Sequence, residues 1–283
     1  MKRQSYPIHN SFPLEKLLSF LSKQDDFLLL NNSFNSTNPT FQFKVGIGCL
    51  KNVSTYQTSI NDFIKEAALQ SQTIFVHLTY GLKNQFEKLS DKHADVFSWP
   101  QVNFFIAQQE ITITEKEITI QCNDNSNSDD IYKLLIESND DWKENETEVR
   151  CNPSLNRETY ISKINSILQH IQRGDIYEMN FCFPFEGNGS INPFAIYKEL
   201  CSKSPAPFSA FYKCKDNYLL CSSPERFIKR EGSKISSQPI KGTAKRGSTV
   251  VEDEQLKSDL FNSEKERSEN VMIVDLVRND LSR

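Results

Sequence analysis

The chain has 283 residues, of which 37% are hydrophobic and 25% charged, and its formal net charge is −4. This composition is typical of a folded protein with a substantial core, and the negative charge argues against nucleic acid or a membrane surface as a partner. The N-terminal segment lacks the apolar run of a signal peptide, and no apolar stretch is long enough to predict a spanning helix. Seven cysteines without a C-x-x-C pair, together with only four histidines, favour reduced thiols in a cytoplasmic protein and argue against structural zinc.

The first part of the chain, up to about residue 122, has the pattern of short strands and a few helices. Two segments are strand-like, FQFKVGIG and TIFVHLTYG, and EITITEKEITIQC alternates apolar and polar residues as a β-hairpin does. Two polar runs then flank a short helical pattern, IYKLLIES. We therefore predict a linker at about 123–150, which separates an N-terminal α+β region, 1–150, from a second region, 151–283.

The second region opens with a predicted helix that begins near Asn156 or Arg157 and ends at Gly174, because its apolar residues recur at helical spacing. The segment after it, DIYEMNFCFPFEG, is predicted to be a strand. A further helix is expected at NPFAIYKELCS, with Pro193 in its first turn. The remaining segments predict two hairpins and a charged helix, in the order FSAFYKCKDNYLLCSS, ERFIKREGSKISSQPIKG and SEKERSENVMIVDLVRNDLSR.

Lys241 lies in the segment SSQPIKGTAKRG, between a proline and a Gly-Thr pair. Pro239 restricts the backbone before the lysine and Gly242 permits a sharp turn after it, so the turn can hold the side chain in one direction. In a dry site, desolvation lowers the pKa of a lysine and frees its amine as a nucleophile. The alternative is a loop lysine in water, because most surface lysines have no special role.

Three carboxylates are further candidates for chemistry. Glu225, in SSPERF, follows a proline at the predicted start of a strand; it could be a general acid if buried, or part of a surface charge pair with Arg226. Glu266 and Glu269 lie three residues apart on one predicted helix face. That pair could hold a Mg²⁺ ion, or it could form a solvated acidic face.

Five segments, taken in chain order, resemble the signature blocks of the chorismate-utilising enzymes: GDIYEMNF, SPAPFSAFY, SSPERF, QPIKGTAKRG and ENVMIVDLVRNDLSR. The resemblance is strong from about 155 to 283 and faint across 1–150, where the family is variable. It implies an α+β fold of the anthranilate synthase component I type, with two packed β-sheets flanked by helices. Aminodeoxychorismate synthases of this family typically have P-I-K-G-T where anthranilate synthases have P-I-A-G-T, so Lys241 places the chain with the former.

The resemblance assigns chemistry to Lys241 and Glu225. Lys241 is implied to attack C2 of chorismate while Glu225 protonates the departing C4 hydroxyl. Ammonia then adds at C4 and expels the lysine, which gives 4-amino-4-deoxychorismate, a precursor of para-aminobenzoate and folate. Two allylic displacements in place of one hard displacement are ordinary covalent catalysis.

The resemblance also implies a metal and a partner. Glu269 matches a magnesium-ligand position, and Glu266 lies one turn earlier as a supporting carboxylate. Gly242 and Thr243 are expected to line the chorismate site. Because no amidotransferase signature occurs in the sequence, a separate glutamine amidotransferase subunit is expected to supply the ammonia.

The sequence departs from the family pattern in two places. It stops inside the D-L-x-R-N-D-x-x-R block, so we expect that the C-terminal part of the fold is missing and that residues 1–283 alone are inactive. The segment LLLNNSF lacks the glutamate of the L-L-E-S block that contributes to a tryptophan pocket in related enzymes. Two other interpretations remain open: another chorismate enzyme, such as anthranilate synthase component I, or a non-catalytic truncated relative that acts as a binding module.

Overall fold

A computed structural model describes residues 2–32, 34, 41–54, 59–90, 97, 99–139 and 149–282. Contacts divide the chain into two compact units, one formed by 1–139 with 197–283 and the other by 140–196. The helices are α1 (Leu14–Ser22), α2 (Ser59–Leu69), α3 (Ser128–Glu137), α4 (Arg157–Gln172), α5 (Pro193–Lys203), α6 (Val250–Asn262) and α7 (Glu264–Leu281). None of these helices has the length and hydropathy that crossing a membrane requires.

The described strands occur singly or in runs before and between these helices. They are β1 (Lys2–Pro7), β2 (Phe27–Asn31), β3 (Phe43–Ile47), β4 (Lys51–Val53), β5 (Phe75–Leu78), β6 (Val102–Ile106), β7 (Gln109–Ile113), β8 (Glu117–Cys122), β9 (Asn152–Pro153), β10 (Phe185–Glu186), β11 (Phe208–Cys214), β12 (Asn217–Ser223), β13 (Arg226–Glu231) and β14 (Lys234–Gln238).

The larger unit is built on a seven-stranded antiparallel sheet with the order β1-β8-β7-β3-β2-β11-β12. The predicted hairpins β7–β8 and β11–β12 are confirmed, and Lys215 turns the second one with a φ of 55°. Leu29 of β2 pairs with Phe211 of β11, and both are fully buried. Strands from both sides of residue 150 therefore share one sheet, and the division into 1–150 and 151–283 stays a prediction. Residues 140–148 of the predicted linker lie outside the described residues.

A second sheet, with the order β4-β6-β5, packs against the first. Leu28 and Tyr212 of the large sheet form one buried cluster with Phe75 and Phe105 of the small sheet. A Cβ atom at Gly46 would lie 2.5 Å from the Phe75 ring, so this glycine lets the sheets approach closely. The two packed sheets confirm this part of the predicted fold.

Helices pack beside the sheets and complete the α+β architecture. Helix α2 buries Phe63 and Ala67 against Ile106, and α3 contacts both α1 and the β1–β8 pair. The side chain of Asn127 accepts a hydrogen bond from the backbone N–H of Asp129 and so caps α3. The helical pattern IYKLLIES is therefore confirmed within α3.

The smaller unit contains α4 and the short β9–β10 pair. Asn156 caps α4 by accepting a 2.8 Å hydrogen bond from the N–H of Thr159. The helix ends shortly before Gly174, whose φ is +80°. The strand predicted over DIYEMNFCFPFEG is wrong, because only Phe185–Glu186 find a strand partner. Phe181 and Phe183, which alternate with other residues in this segment, instead lie against the ring of Tyr160.

Candidate active site

The chain segments before β13 and after β14 lie side by side at the open end of the β13–β14 hairpin. Gly232, with a φ of +61°, turns the chain at the other end, as the sequence predicts. At the open end Arg226 pairs with Gln238 in the ladder, and the Arg226 Nε donates a 2.8 Å hydrogen bond to the Gln238 Oε1. Glu225 and Lys241, which are sixteen residues apart in sequence, therefore flank the same end of the hairpin.

Glu225 is held against the backbone of the lysine loop. Its Oε1 accepts a hydrogen bond from the backbone N–H of Ile240 at 3.2 Å, and the Oγ of Ser223 accepts the Glu225 N–H at 3.3 Å. The hydrogen bond to Ile240 fixes a carboxylate beside the residue that precedes Lys241. The structure thus places the Glu225 carboxylate against the backbone of the loop that carries Lys241.

Gly242 lies directly against the second carboxylate candidate. The φ of Gly242 is +75°, a region that favours glycine, and a Cβ atom there would lie 2.7 Å from the Oε2 of Glu266. The glycine therefore permits both the turn and the close approach of Glu266. Lys241 and Gly242 are half-buried, whereas Thr243 is exposed.

Glu266 and Glu269 lie in the first turns of α7. Ser263 caps this helix by accepting a hydrogen bond from the N–H of Glu266. The Nζ of Lys265 lies 3.7 Å from the Oε1 of Glu266 and 3.8 Å from the Oε1 of Glu269. The two carboxylates are therefore close enough to share one cation. Here that cation is the exposed ammonium of Lys265, and ion pairs at the surface are weak.

Two carboxylates fit part of a magnesium site. Among the described residues, no group of three or more His, Cys, Asp or Glu side chains is arranged to hold a metal ion. Mg²⁺ is usually bound through one or two carboxylates together with substrate oxygens and waters. Glu266 and Glu269 can supply the carboxylates of such a site if the substrate supplies an oxygen.

The far end of the lysine loop is anchored to α6 by Asp253. Arg246 donates from Nε and Nη2 to the two oxygens of this carboxylate, at 2.7 and 2.6 Å, and the N–H of Gly247 donates to its Oδ1 at 2.8 Å. The Arg246 guanidinium holds the pKa of Asp253 at about 2. The loop is thus fixed at both ends, by Glu225 and by Asp253.

Sequence reasoning missed α6 and its anchor. The signal that predicts this helix is Thr249 followed three residues later by Glu252, a capping box. Thr249 accepts the N–H of Glu252, and the Oε2 of Glu252 accepts the N–H of Ser248 at 2.7 Å. The pairing of Arg246 with Asp253 has no comparable sequence signal, because it depends on where the capped helix begins.

Large apolar side chains are exposed on the elements around this site. Neither α6 nor α7 has a buried residue, although a helix in a globular protein normally buries one apolar face. A contiguous exposed apolar surface of this kind is rare on soluble monomers. The exposed side chains are Phe227, Ile228, Ile235, Ile240, Val250, Val251, Phe261, Val271, Val274 and Leu276.

Comparison with known proteins relates this geometry to a family. Aminodeoxychorismate synthase component 1 of Bacillus subtilis is 40% identical over 120 residues, which are 42% of this chain and 26% of that protein. Anthranilate synthase component 1 1 of Haloarcula marismortui is 35% identical over 127 residues, which are 45% and 26% of the two chains. The chain thus matches about a quarter of the length of these curated relatives.

A solved structure supports the fold over nearly the whole chain. Anthranilate synthase component I from Streptococcus pneumoniae superposes with a TM-score of 0.61 and 20% sequence identity, covering 96% of this chain and 62% of that one. The sequence profile of the chorismate binding enzymes matches residues 32–283, which extends the likeness well before the blocks recognised between 155 and 283. The chain therefore belongs to the family of chorismate binding enzymes.

Proposed function

We propose that this chain is component I of an aminodeoxychorismate synthase and converts chorismate and ammonia into 4-amino-4-deoxychorismate and water. The observation that carries the proposal is the hydrogen bond from the Ile240 N–H to Glu225, which joins the carboxylate to the lysine loop. The contact of Gly242 with Glu266 adds a second carboxylate to the same loop.

In the proposed first step the neutral amine of Lys241 forms a bond to C2 of chorismate. The ring double bonds shift, the C4–O bond breaks, and Glu225 donates a proton so that the hydroxyl leaves as water. The ammonium formed on Lys241 can return a proton to Glu225. This resets the acid without help from solvent.

In the second step ammonia forms a bond to C4, the double bonds shift back, and the bond between C2 and the Lys241 nitrogen breaks. The departing lysine nitrogen takes one proton from Glu225 and leaves as a free amine, and the new ammonium at C4 returns one proton to the Glu225 carboxylate. The lysine thus replaces one difficult displacement by two allylic ones. We propose that a glutamine amidotransferase subunit supplies the ammonia, and that free ammonia at high concentration replaces it.

Glu266 and Glu269 would hold the Mg²⁺, whose charge would bind and orient the ring carboxylate of chorismate. Thr243 and the backbone at Gly242 would line the same space. Residues 1–283 by themselves are proposed to be inactive, since two carboxylates make only part of a metal site and the surrounding apolar surface is uncovered. The reaction is therefore tested in the product of the whole open reading frame that encodes this sequence.

The decisive experiment compares Lys241→Ala with Lys245→Ala, an exposed lysine in the same loop. With chorismate and ammonium salts, Lys245→Ala should form aminodeoxychorismate at a normal rate and Lys241→Ala should not. With ammonia withheld and the reaction quenched in acid, the intact protein should gain the mass of chorismate less one water, on Lys241. Glu225→Gln should slow turnover about 10²–10⁴-fold. Equal activity of the two lysine variants would exclude the covalent step.

A second candidate function is that of anthranilate synthase component I, favoured by the 35% identity to the Haloarcula enzyme. Its product is distinguished by mass and fluorescence in the same reaction. A third outcome is chorismate binding without turnover in the complete protein, which would support a binding module. Formation of aminodeoxychorismate by purified 1–283 would contradict the inactivity proposed for that segment.

A further inference from the structure

The carboxylate of Asp253 reaches back from α6 to the lysine loop. It accepts two hydrogen bonds from Arg246 and one from the backbone N–H of Gly247, and both donors precede the helix. The start of α6 is already satisfied by the side chains of Thr249 and Glu252, which form its capping box. The helix therefore does not need Asp253 for its own cap, and the three hydrogen bonds act on the loop.

The geometry of this contact is more specific than that of an ordinary surface ion pair. Two parallel N–H···O bonds between a guanidinium and a carboxylate fix direction as well as distance, whereas most exposed ion pairs fix neither. The Gly247 N–H adds a bond from the main chain itself, so Asp253 holds the backbone of the loop. A Cβ atom at Gly247 would overlap the backbone nitrogen of Asp253, so glycine lets the loop lie directly on the first turn of the helix.

The other end of the loop is held by a group that changes its charge. Glu225, which accepts the Ile240 N–H, gains and loses a proton in the proposed reaction. Its hydrogen bond is therefore stronger when the carboxyl group is ionised and weaker when it is protonated. Asp253 keeps its charge throughout, because the hydrogen bonds from Arg246 hold the pKa of its carboxyl group at about 2. The Asp253 end stays fixed while the Glu225 end titrates.

The helix that carries Asp253 continues directly into the helix that carries the acidic pair. Ser263 ends α6 and caps α7, and Glu266 of α7 lies against Gly242. The loop is thus tied to α6 and to α7, on either side of residues 243–245, which are exposed and outside helices and strands. Release of the α6 contact would leave those residues free to move together with the backbone next to Lys241.

We propose that Asp253 is a positioning residue for Lys241. By holding the end of the loop against α6, it limits the movement of the amine and keeps it oriented for attack on C2 of chorismate. This role rests on the proposed function, in which the lysine nitrogen bonds to C2 as the C4–O bond breaks and water leaves. A displacement of about 1 Å from the reactive geometry can cost about 10²-fold in rate, so a loop fixed at one end only would react more slowly.

The test uses the product of the whole open reading frame, with ammonia withheld. The mass of the intact protein is followed over time as it gains chorismate less one water. Asp253→Asn should slow adduct formation at least about tenfold and leave its final extent unchanged. A partly unfolded preparation would instead lower the final extent and leave the rate unchanged. Arg246→Met should also be slower, Arg246→Lys less so because it keeps the charge, and the double variant about as slow as Asp253→Asn alone.

Asp259→Asn is the matched control, since Asp259 lies on the same helix and accepts a hydrogen bond from Gln255; it should leave the rate unchanged. Hydrogen exchange at the Ile240 N–H gives a readout without chorismate, and Asp253→Asn should speed it whereas Asp259→Asn should not. If the parent protein forms no adduct, the proposed reaction fails, and exchange at Ile240 still decides whether Asp253 holds the loop. Equal exchange in the two variants overturns the proposal, and so does an unchanged rate of adduct formation in Asp253→Asn when the parent reacts.

Discussion

Gly242→Ala tests the contact that joins the lysine loop to α7. The backbone of Gly242 has a φ of +75°, and a Cβ atom there would lie 2.7 Å from the Oε2 and 3.1 Å from the Cβ of Glu266. The left-handed conformation costs a non-glycine residue about 1–2 kcal/mol. Forcing an added methyl group into an occupied space costs a further 1–3 kcal/mol or so. We therefore expect Gly242→Ala to lower the free energy of unfolding by about 2–5 kcal/mol.

Gly232→Ala is the matched control, because it separates backbone strain from the steric contact. Gly232 has a φ of +61° and no atom within 4 Å of where its Cβ would lie. Its replacement should therefore cost only the conformational term, about 1–2 kcal/mol. Urea unfolding followed by circular dichroism, with a shared slope, gives the difference between the two variants.

A double mutant identifies the atoms responsible. Glu266→Ala removes the carboxylate that lies 2.7 Å from the added methyl group, so Gly242→Ala should cost less in that background than in the parent chain. The reasoning is refuted if Gly242→Ala and Gly232→Ala are equally destabilising, or if Glu266→Ala leaves the cost of Gly242→Ala unchanged.

Two further predictions concern hydrogen-bonded carboxylate and amide side chains. Asp253→Asn should speed hydrogen exchange at the N–H of Gly247, whereas Asp259→Asn on the same helix should not. Because the folded pKa of Asp253 is lowered to about 2, its contribution is fully present above the unfolded pKa of about 3.9 and is lost as the pH falls toward 2. Asn156→Ala should destabilise α4 by about 1 kcal/mol, measured by thermal unfolding; an unchanged midpoint would mean that its bond to the Thr159 N–H adds no stability.

Local sequence signals determined much of the second region. Asn156, Pro193 and Ser263 mark helix starts, and Gly232 marks a hairpin turn, because each satisfies a requirement of the backbone within a few residues. These features depend on neighbours in sequence, so they are visible without the fold. The same holds for the motif around Lys241, whose residues indicate the family.

The strand expected over DIYEMNFCFPFEG shows where local signals stop. Alternating aromatic residues there satisfy a strand pattern, but a strand also needs a partner with free hydrogen-bonding groups. Only Phe185 and Glu186 have that partner, Asn152–Pro153. The sequence alone does not show which backbone segment lies beside this one.

By itself the sequence determined the family, the nucleophile candidate and the carboxylates that accompany it. Only the tertiary structure decided that Glu225 bonds to the backbone at Ile240, that Gly242 touches Glu266, and that Asp253 holds the other end of the loop. Residue types and short spacings fix chemistry and local conformation. Contacts between residues far apart in sequence depend on how sheets and helices pack, which no short pattern encodes.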